Sequence, residues 1–313
     1  MNTNQHLLFI HIPKTAGTSF RLAAKDFYGE ENIFFDYSPD SVETSSEILD
    51  SIYIKKDPYE LYRELTKKPL SFLSGHFPEK KYMMFYEATN IISFVRDPVK
   101  QVVSHYNHHI KYLDYKKEFY DFINDARFQN IQSRLLSRRN IGMYGFLGVT
   151  DQYDKSIEIF NAVYQANLLS IYENRSDNST VNAEEIDKNI IDLIYRFNEE
   201  DIKFYKSVCH QFEVRKKLYE QNRPFTHGMI QKRNKTAIMG CAFQLNSDSP
   251  VSIDIYHHDK RLTTLKANLY KPGLMSQGIP KKGFIGFHYR WSDDKIDNQD
   301  IHCIVKETGQ EIL

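Results

Sequence analysis

The sequence predicts an α/β fold, a three-layer parallel sheet flanked by helices, joined to a small all-β C-terminal sandwich. Short continuous apolar runs alternate with helix-period stripes through the first 230 residues. Two of those runs, residues 7–12 and 91–95, each end in a loop that opens a helix. Beyond residue 230 the helical period gives way to short β-like runs separated by Pro, Gly, Asp and Asn.

Residues 7–12 (LLFIHI) have the unbroken apolar character of a strand buried on both faces, and Pro13 ends them. From Phe20 the apolar positions Phe20, Ala23, Ala24, Phe27 and Tyr28 form a helical stripe, closed by Gly29. Residues 36–70 are mixed, with a helix expected over 58–67, and residues 70–77 (LSFLSGHF) read as a strand running into a loop. The strand IISFV at 91–95 precedes Asp97, an N-cap residue, and Pro98, suited to the first helical position. The helix after it carries the stripe Val99, Val102, Val103, Tyr106, Ile110 and Leu113, which leaves Ser104 off the apolar face. Helices are expected over 117–140 and 151–166, helical periodicity dominates 184–219, and a strand is expected over 168–172. Runs at 236–245, 251–257, 261–268, 283–291 and 300–306 make up the sandwich, so the expected domains are 1–230 and 235–313, joined through Gln231 to Lys235.

Forty-one basic residues balance 41 acidic ones, so no global field is available for nucleic acid or an anionic membrane, and any anion site must be local. Cys209, Cys241 and Cys303 are too few and too scattered for a disulfide scaffold or a cysteine metal cluster, which fits a reducing compartment. No signal peptide or membrane-spanning stretch is evident, and a cytoplasmic location is expected.

The strongest chemical signal is FIHIPKTAGTSF, residues 9–20. A strand ending in Pro13, Lys14, Thr15, Ala16 and Gly17 and opening a helix at Thr18 and Ser19 aims backbone N–H groups and a helix N-terminus at one point, with Lys14 as the full positive charge. Gly17 is expected to let the backbone approach the anion. A nucleoside-triphosphate P-loop would place the Lys last, before Ser or Thr, whereas Lys14 stands early in this loop. The second signal is FVRDPVKQVVSHY, residues 94–106, in which Arg96 at a strand end and Ser104 in the next helix can grip a second phosphate. Taken alone, Arg96 serves equally well as a partner for Asp97.

Together the two motifs resemble the sulfotransferase superfamily, specifically the branch of heparan sulfate O-sulfotransferases and their bacterial relatives. The likeness covers residues 5–215, with unmatched stretches inside. It implies a P-loop-like fold and 3′-phosphoadenosine 5′-phosphosulfate as co-substrate, with no metal. It assigns the 5′-phosphosulfate to Pro13, Lys14, Thr15, Ala16, Gly17, Thr18 and Ser19, and the 3′-phosphate to Arg96 and Ser104. GMYGFLGVTDQY, residues 142–153, is similar to a family stretch that carries Glu where this chain has Asp151. Asn174, Arg175 and Ser176 resemble a nucleotide-proximal triplet, and Gln132 and Arg134 resemble residues near the acceptor cleft, though a helix surface explains those two equally well.

His76, after Gly75 at a strand end, resembles the proposed base of the 2-O-sulfotransferases, while a lone loop histidine is by itself more often structural. His105, His108 and His109 have metal-compatible helical spacing but no evident carboxylate or cysteine partner, and read as a solvated helix face. His257 and His258 read as strand-edge surface, and His11 as a packing residue. The implied reaction is in-line transfer to a hydroxyl, expected on a glycan, with His76 as base and Lys14 on the leaving phosphate. A kinase-like phosphotransferase and a non-catalytic glycan or anion binder are the competing readings. The β domain is expected to serve structure or homo-oligomerisation, with Trp291, Tyr289 or Tyr270 as more speculative sugar contacts.

Overall fold

The computed structural model of the chain describes residues 5–136, 139–171, 180–292 and 296–313. The chain forms two compact units, one of Met1–Phe85, Asn90–Arg138 and Phe146–Phe212, the other of Tyr86–Thr89, Arg139–Gly145 and Glu213–Leu313.

The first unit is built on a five-stranded, all-parallel sheet of β1 (Gln5–Ile10), β2 (Ile33–Asp36), β3 (Leu70–Gly75), β4 (Ile91–Val95) and β5 (Phe146–Val149), in the order β2-β3-β1-β4-β5. Leu7, Leu8, Phe9 and Ile10 are all fully buried, and since successive residues face opposite ways both sheet faces are covered. The flanking helices are α1 (Gly17–Tyr28), α2 (Ser46–Ile48, continued by a π-helical turn at Leu49–Ile54), α3 (Pro58–Thr66), α4 (Pro98–Tyr112), α5 (Phe119–Asn124), α6 (Ile131–Leu135), α7 (Tyr153–Tyr164) and α8 (Lys188–Phe197); α9 (Glu199–Glu220) follows. The predicted α/β class is the one observed. Asp97 caps α4 by accepting the N–H of Lys100 at 3.0 Å, with Pro98 behind it at the first helical position.

The order makes β1 the switch point. The chain leaves β1 for β2 and β3 on one side, then crosses to β4 and β5 on the other. Loops after β3, β1 and β4 therefore share one edge of the sheet, the position at which open α/β sheets bind ligands.

Four elements differ from the expectations. β2 was not foreseen, because its four-residue run IFFD is too short to separate from the mixed stretch around it. The helix expected over 117–140 is broken: Asp125 turns its carboxylate onto the N–H of Arg127, and Asn130 enters the left-handed region at φ 50°, so α5 and α6 are separate. Residues 168–171 form no strand, since the side chain of Asn161 takes both backbone groups of Leu168; Tyr172 lies outside the described residues. Gln231 to Lys235 are no linker: they continue β6 through a bulge into its turn.

The second unit holds two antiparallel sheets. One has the order β10-β11-β7-β6, from β10 (Leu269–Tyr270), β11 (Phe284–Arg290), β7 (Ala237–Phe243) and β6 (His227–Asn234). The other has the order β12-β8-β9, from β12 (Ile301–Val305), β8 (Ser252–His257) and β9 (Lys260–Lys266). Ile238, Ala242 and Phe287 of the first and Ile253, Ile255, Cys303 and Val305 of the second share one core, as in a sandwich. Trp291 belongs to that core at 7% exposure, so it is no sugar platform; Tyr270 is exposed and packs on Phe284, with ring centroids 5.2 Å apart. Among the described residues no helix is long and apolar enough to cross a membrane.

Candidate active site

The loop after β1 is the centre of the site. Lys14 and Ala16 hold left-handed backbone, at φ 67° and 65°. Neither is glycine, so each conformation costs roughly 1–2 kcal/mol, strain of the kind stored at ligand-binding loops. Left-handed residues spaced this way turn backbone N–H groups inward as an anion nest. Ala16 is also the N-cap of α1, which has no side-chain cap and no acidic residue in its first turn, so the positive helix end is not neutralised from within.

Gly17 meets a packing requirement within the protein. A Cβ there would lie 1.9 Å from Cδ2 of His11, so glycine at 17 makes room for the imidazole. The Thr15 hydroxyl is fully buried and donates to the carbonyl of Ile12 at 3.0 Å, which leaves Thr15 only its backbone to offer. Thr18 is half-buried and Ser19 buried in the first turn of α1.

The second motif grips the first. Arg96, at the end of β4, donates from Nη1 to the carbonyl of Lys14 at 3.2 Å. Gln101, one α4 turn further on and 2% exposed, donates from Nε2 to the carbonyl of Pro13 at 3.0 Å. Sequence reasoning missed Gln101; its place four residues after Asp97 and three before Ser104, on one helix face, was the available signal. Ser104 is half-buried on α4.

The two cations feel each other. Burial, and then the Arg96 guanidinium, lower the pKa of Lys14, and burial lowers that of Arg96 against the opposing pull of Asp151 and Asp97. Among the described residues no carboxylate lies within ion-pair distance of Lys14, whereas Asp151 is held by Lys100 at 2.5 Å and accepts the Tyr205 hydroxyl at 3.2 Å. A pair of close cations without a carboxylate between them is an arrangement that an anion relieves.

His76 follows β3. Its Nδ1 lies 2.7 Å from the carbonyl oxygen of His11, and its backbone N–H donates to the carbonyl of Asp36 at 3.2 Å. A carbonyl only accepts, so the neutral ring carries its proton on Nδ1 and leaves Nε2 with a free lone pair. His76 is exposed, and its ring packs beside those of His11 and Tyr37, at centroid distances of 4.4 and 4.8 Å. Burial lowers the pKa of His76, the His11 carbonyl raises it, and Arg21 lowers it again.

Behind His76 sits His11, 6% exposed, its Nδ1 2.7 Å from the Tyr37 hydroxyl and its pKa held well below the ordinary value by burial and by His76. Arg21 lies over the Tyr37 ring at 5.3 Å and pairs with Glu43.

Gln132 and Arg134 differ in placement: the first is buried and the second exposed. Gln132 is fully buried: its Oε1 accepts the N–H of Arg96 at 3.0 Å and its Nε2 donates to the carbonyl of Arg96 at 2.9 Å. Buried Asp201 fixes Gln132 in turn, accepting the N–H groups of Gln132 and Ser133. Arg134 spends Nη1 on the carbonyls of Ala126 and Gln129, both at 3.1 Å. His105 is no solvated residue either: at 8% exposure it packs against Phe122 and Phe128, because α5 and the turn after it cover that face of α4. Asn174, Arg175 and Ser176 lie outside the described residues.

A model of the sulfotransferase family matches residues 1–206. A search of curated proteins finds no match. Among solved structures, a sulfotransferase from Alicyclobacillus acidocaldarius is similar over 70% of this chain and 96% of its own, at 10% identity and a TM-score of 0.34. Because the family match takes in most of the chain, including β1, β3, β4 and the loops at their ends, the protein belongs to the sulfotransferase family.

Proposed function

We propose that the protein transfers the sulfonate of 3′-phosphoadenosine 5′-phosphosulfate to a hydroxyl of a carbohydrate. One observation carries this reading: Arg96 reaches the backbone of Lys14, so two anion-suited groups from separate strand ends meet at one loop. Loop amides from Lys14 to Ser19 and the α1 N-terminus suit the 5′-phosphate, and Arg96 with Ser104 suits the 3′-phosphate. His76 Nε2 accepts the proton of the acceptor hydroxyl, whose oxygen forms the new bond to sulfur. The bond from sulfur to the phosphate oxygen breaks, and Lys14 stabilises the charge left there. The products are a sulfate ester and 3′-phosphoadenosine 5′-phosphate. The carbohydrate acceptor rests on the likeness of Gly75 and His76 to the heparan sulfate O-sulfotransferases.

Calorimetry with 3′-phosphoadenosine 5′-phosphate and with AMP tests the donor, and mass spectrometry of a glycan, peptide and lipid panel tests the acceptor. The 3′-phosphate should tighten binding at least about tenfold, the effect of one charge-assisted contact set. Equal affinity for the two nucleotides would overturn the donor assignment.

A further inference from the structure

The second unit carries a side-chain cluster that sulfonate transfer does not use. β8 ends at His257, and His258 and Asp259 turn the chain back into β9. His258 holds left-handed backbone at φ 49°, and its N–H donates to the carbonyl of Asp300 at 3.1 Å. That bond pins the hairpin turn to the residue preceding β12. As a result His257, His258 and Asp300 each offer a ligand atom within 4.8 Å of the other two, the one group of three this close among the described residues.

The cluster is unsatisfied as it stands. Nε2 of His258 lies 3.6 Å from Oδ2 of Asp300, too far for a hydrogen bond, and the two imidazoles are 4.4 Å apart, centroid to centroid. Nε2 of His257 is enclosed and has no hydrogen-bond partner. A buried ring nitrogen without a partner is costly, and a metal ion is one group that satisfies it.

We propose that His257, His258 and Asp300 bind a divalent cation of borderline softness, zinc(II) foremost. Two imidazoles with one carboxylate suit zinc and disfavour magnesium and calcium, which require mostly oxygen ligands. Bonds of 2.0–2.2 Å in a tetrahedral site place ligand atoms roughly 3.3 Å apart, so modest side-chain rotation of exposed His258 and half-buried Asp300 closes the cluster. A surface groove of about 530 Å³, lined by Tyr256, His258, Asp259, His302 and Ile304, reaches the His258 side of the cluster. The ion would cross-link the β8–β9 turn to β12 on the far side of the same sheet.

The test uses the full chain, stripped with a chelator and titrated calorimetrically with zinc(II), alongside thermal melts with and without the metal. The expected result is one high-affinity ion per chain, a Tm raised by about 3 °C or more at a hundredfold excess over Kd, and a cobalt(II) derivative with tetrahedral absorption bands. His258→Ala, on an exposed turn, and Asp300→Asn should each weaken binding at least about tenfold, and His257→Ala should abolish it. Undiminished zinc binding in folded His258→Ala and Asp300→Asn variants, or loss of the ion on replacing His108 and His109 instead, would overturn the assignment.

Discussion

The guanidinium of Arg96 holds the carbonyl oxygen of Lys14 at 3.2 Å, joining the ends of two adjacent parallel strands through one hydrogen bond. Truncating Arg96 removes a loop contact as well as a charge, whereas truncating Lys14 removes an ammonium and leaves its backbone in place.

That difference separates the two variants. Lys14→Ala should lower kcat by about 10²–10³-fold with a much smaller loss of affinity for the donor, 3′-phosphoadenosine 5′-phosphosulfate, as expected for charge stabilisation at a leaving group. Arg96→Ala should weaken that affinity by at least about tenfold. Equal losses of affinity with unchanged turnover would contradict the division of labour.

Gly17→Ala should destabilise the first unit by about 1–3 kcal/mol, since its Cβ collides with the His11 ring. The collision is pairwise, so adding His11→Ala should restore part of the loss, a non-additivity that denaturant unfolding of the two single variants and the double variant measures.

Gln132→Ala leaves both backbone groups of Arg96 without their side-chain partner, at a cost of about 1–3 kcal/mol. Nucleotide affinity should fall while KM for the acceptor stays the same. A selective change in acceptor KM would return Gln132 to the acceptor cleft.

In the proposed role of base His76 must be neutral, and burial lowers its pKa from the ordinary histidine value. The rate kcat/KM should therefore hold down to about pH 6.5 and fall as pH drops through the lowered value. His76→Ala should remove that acid limb together with about 10²–10⁴-fold of the rate. Arg21 lowers the pKa of His76, so Arg21→Gln should move the limb to higher pH.

His105 is pushed down to about 3 by burial and by neighbouring His109, whose Nε2 lies 3.2 Å away. The unfolded chain protonates this ring near pH 6.5 and the folded protein does not, so its neutral form contributes fully above pH 6.5 and stability is lost as pH falls toward 3. The slope is about 1.4 kcal/mol per pH unit. Replacing His105 with Leu should flatten the acid side of a stability-pH curve measured by urea unfolding.

The first motif could be found in the sequence because strand, loop and helix are contiguous there, and backbone amides at a helix start need no distant partner. Asp97 and Pro98 announced α4 for the same reason. Misassigned residues were those whose partners are remote in sequence. Gln132 looks like a helix-surface polar residue until β4 delivers the backbone of Arg96 to it, 36 positions away. His105 has a polar name and a helical spacing, yet α5 supplies the aromatic rings that bury it.

By itself, then, the chain determined its alternation of buried strands and helices, its late change to short antiparallel strands, and two local anion-suited motifs, all set by periodicity and by residues near one another along the backbone. Only the tertiary structure decided that β1 lies between β3 and β4, which brings Lys14, His76 and Arg96 to one sheet edge, and that glycine at 17 is required by His11. Strand order and side-chain collisions depend on pairings between distant segments, and periodicity carries no information about which strand lies beside which.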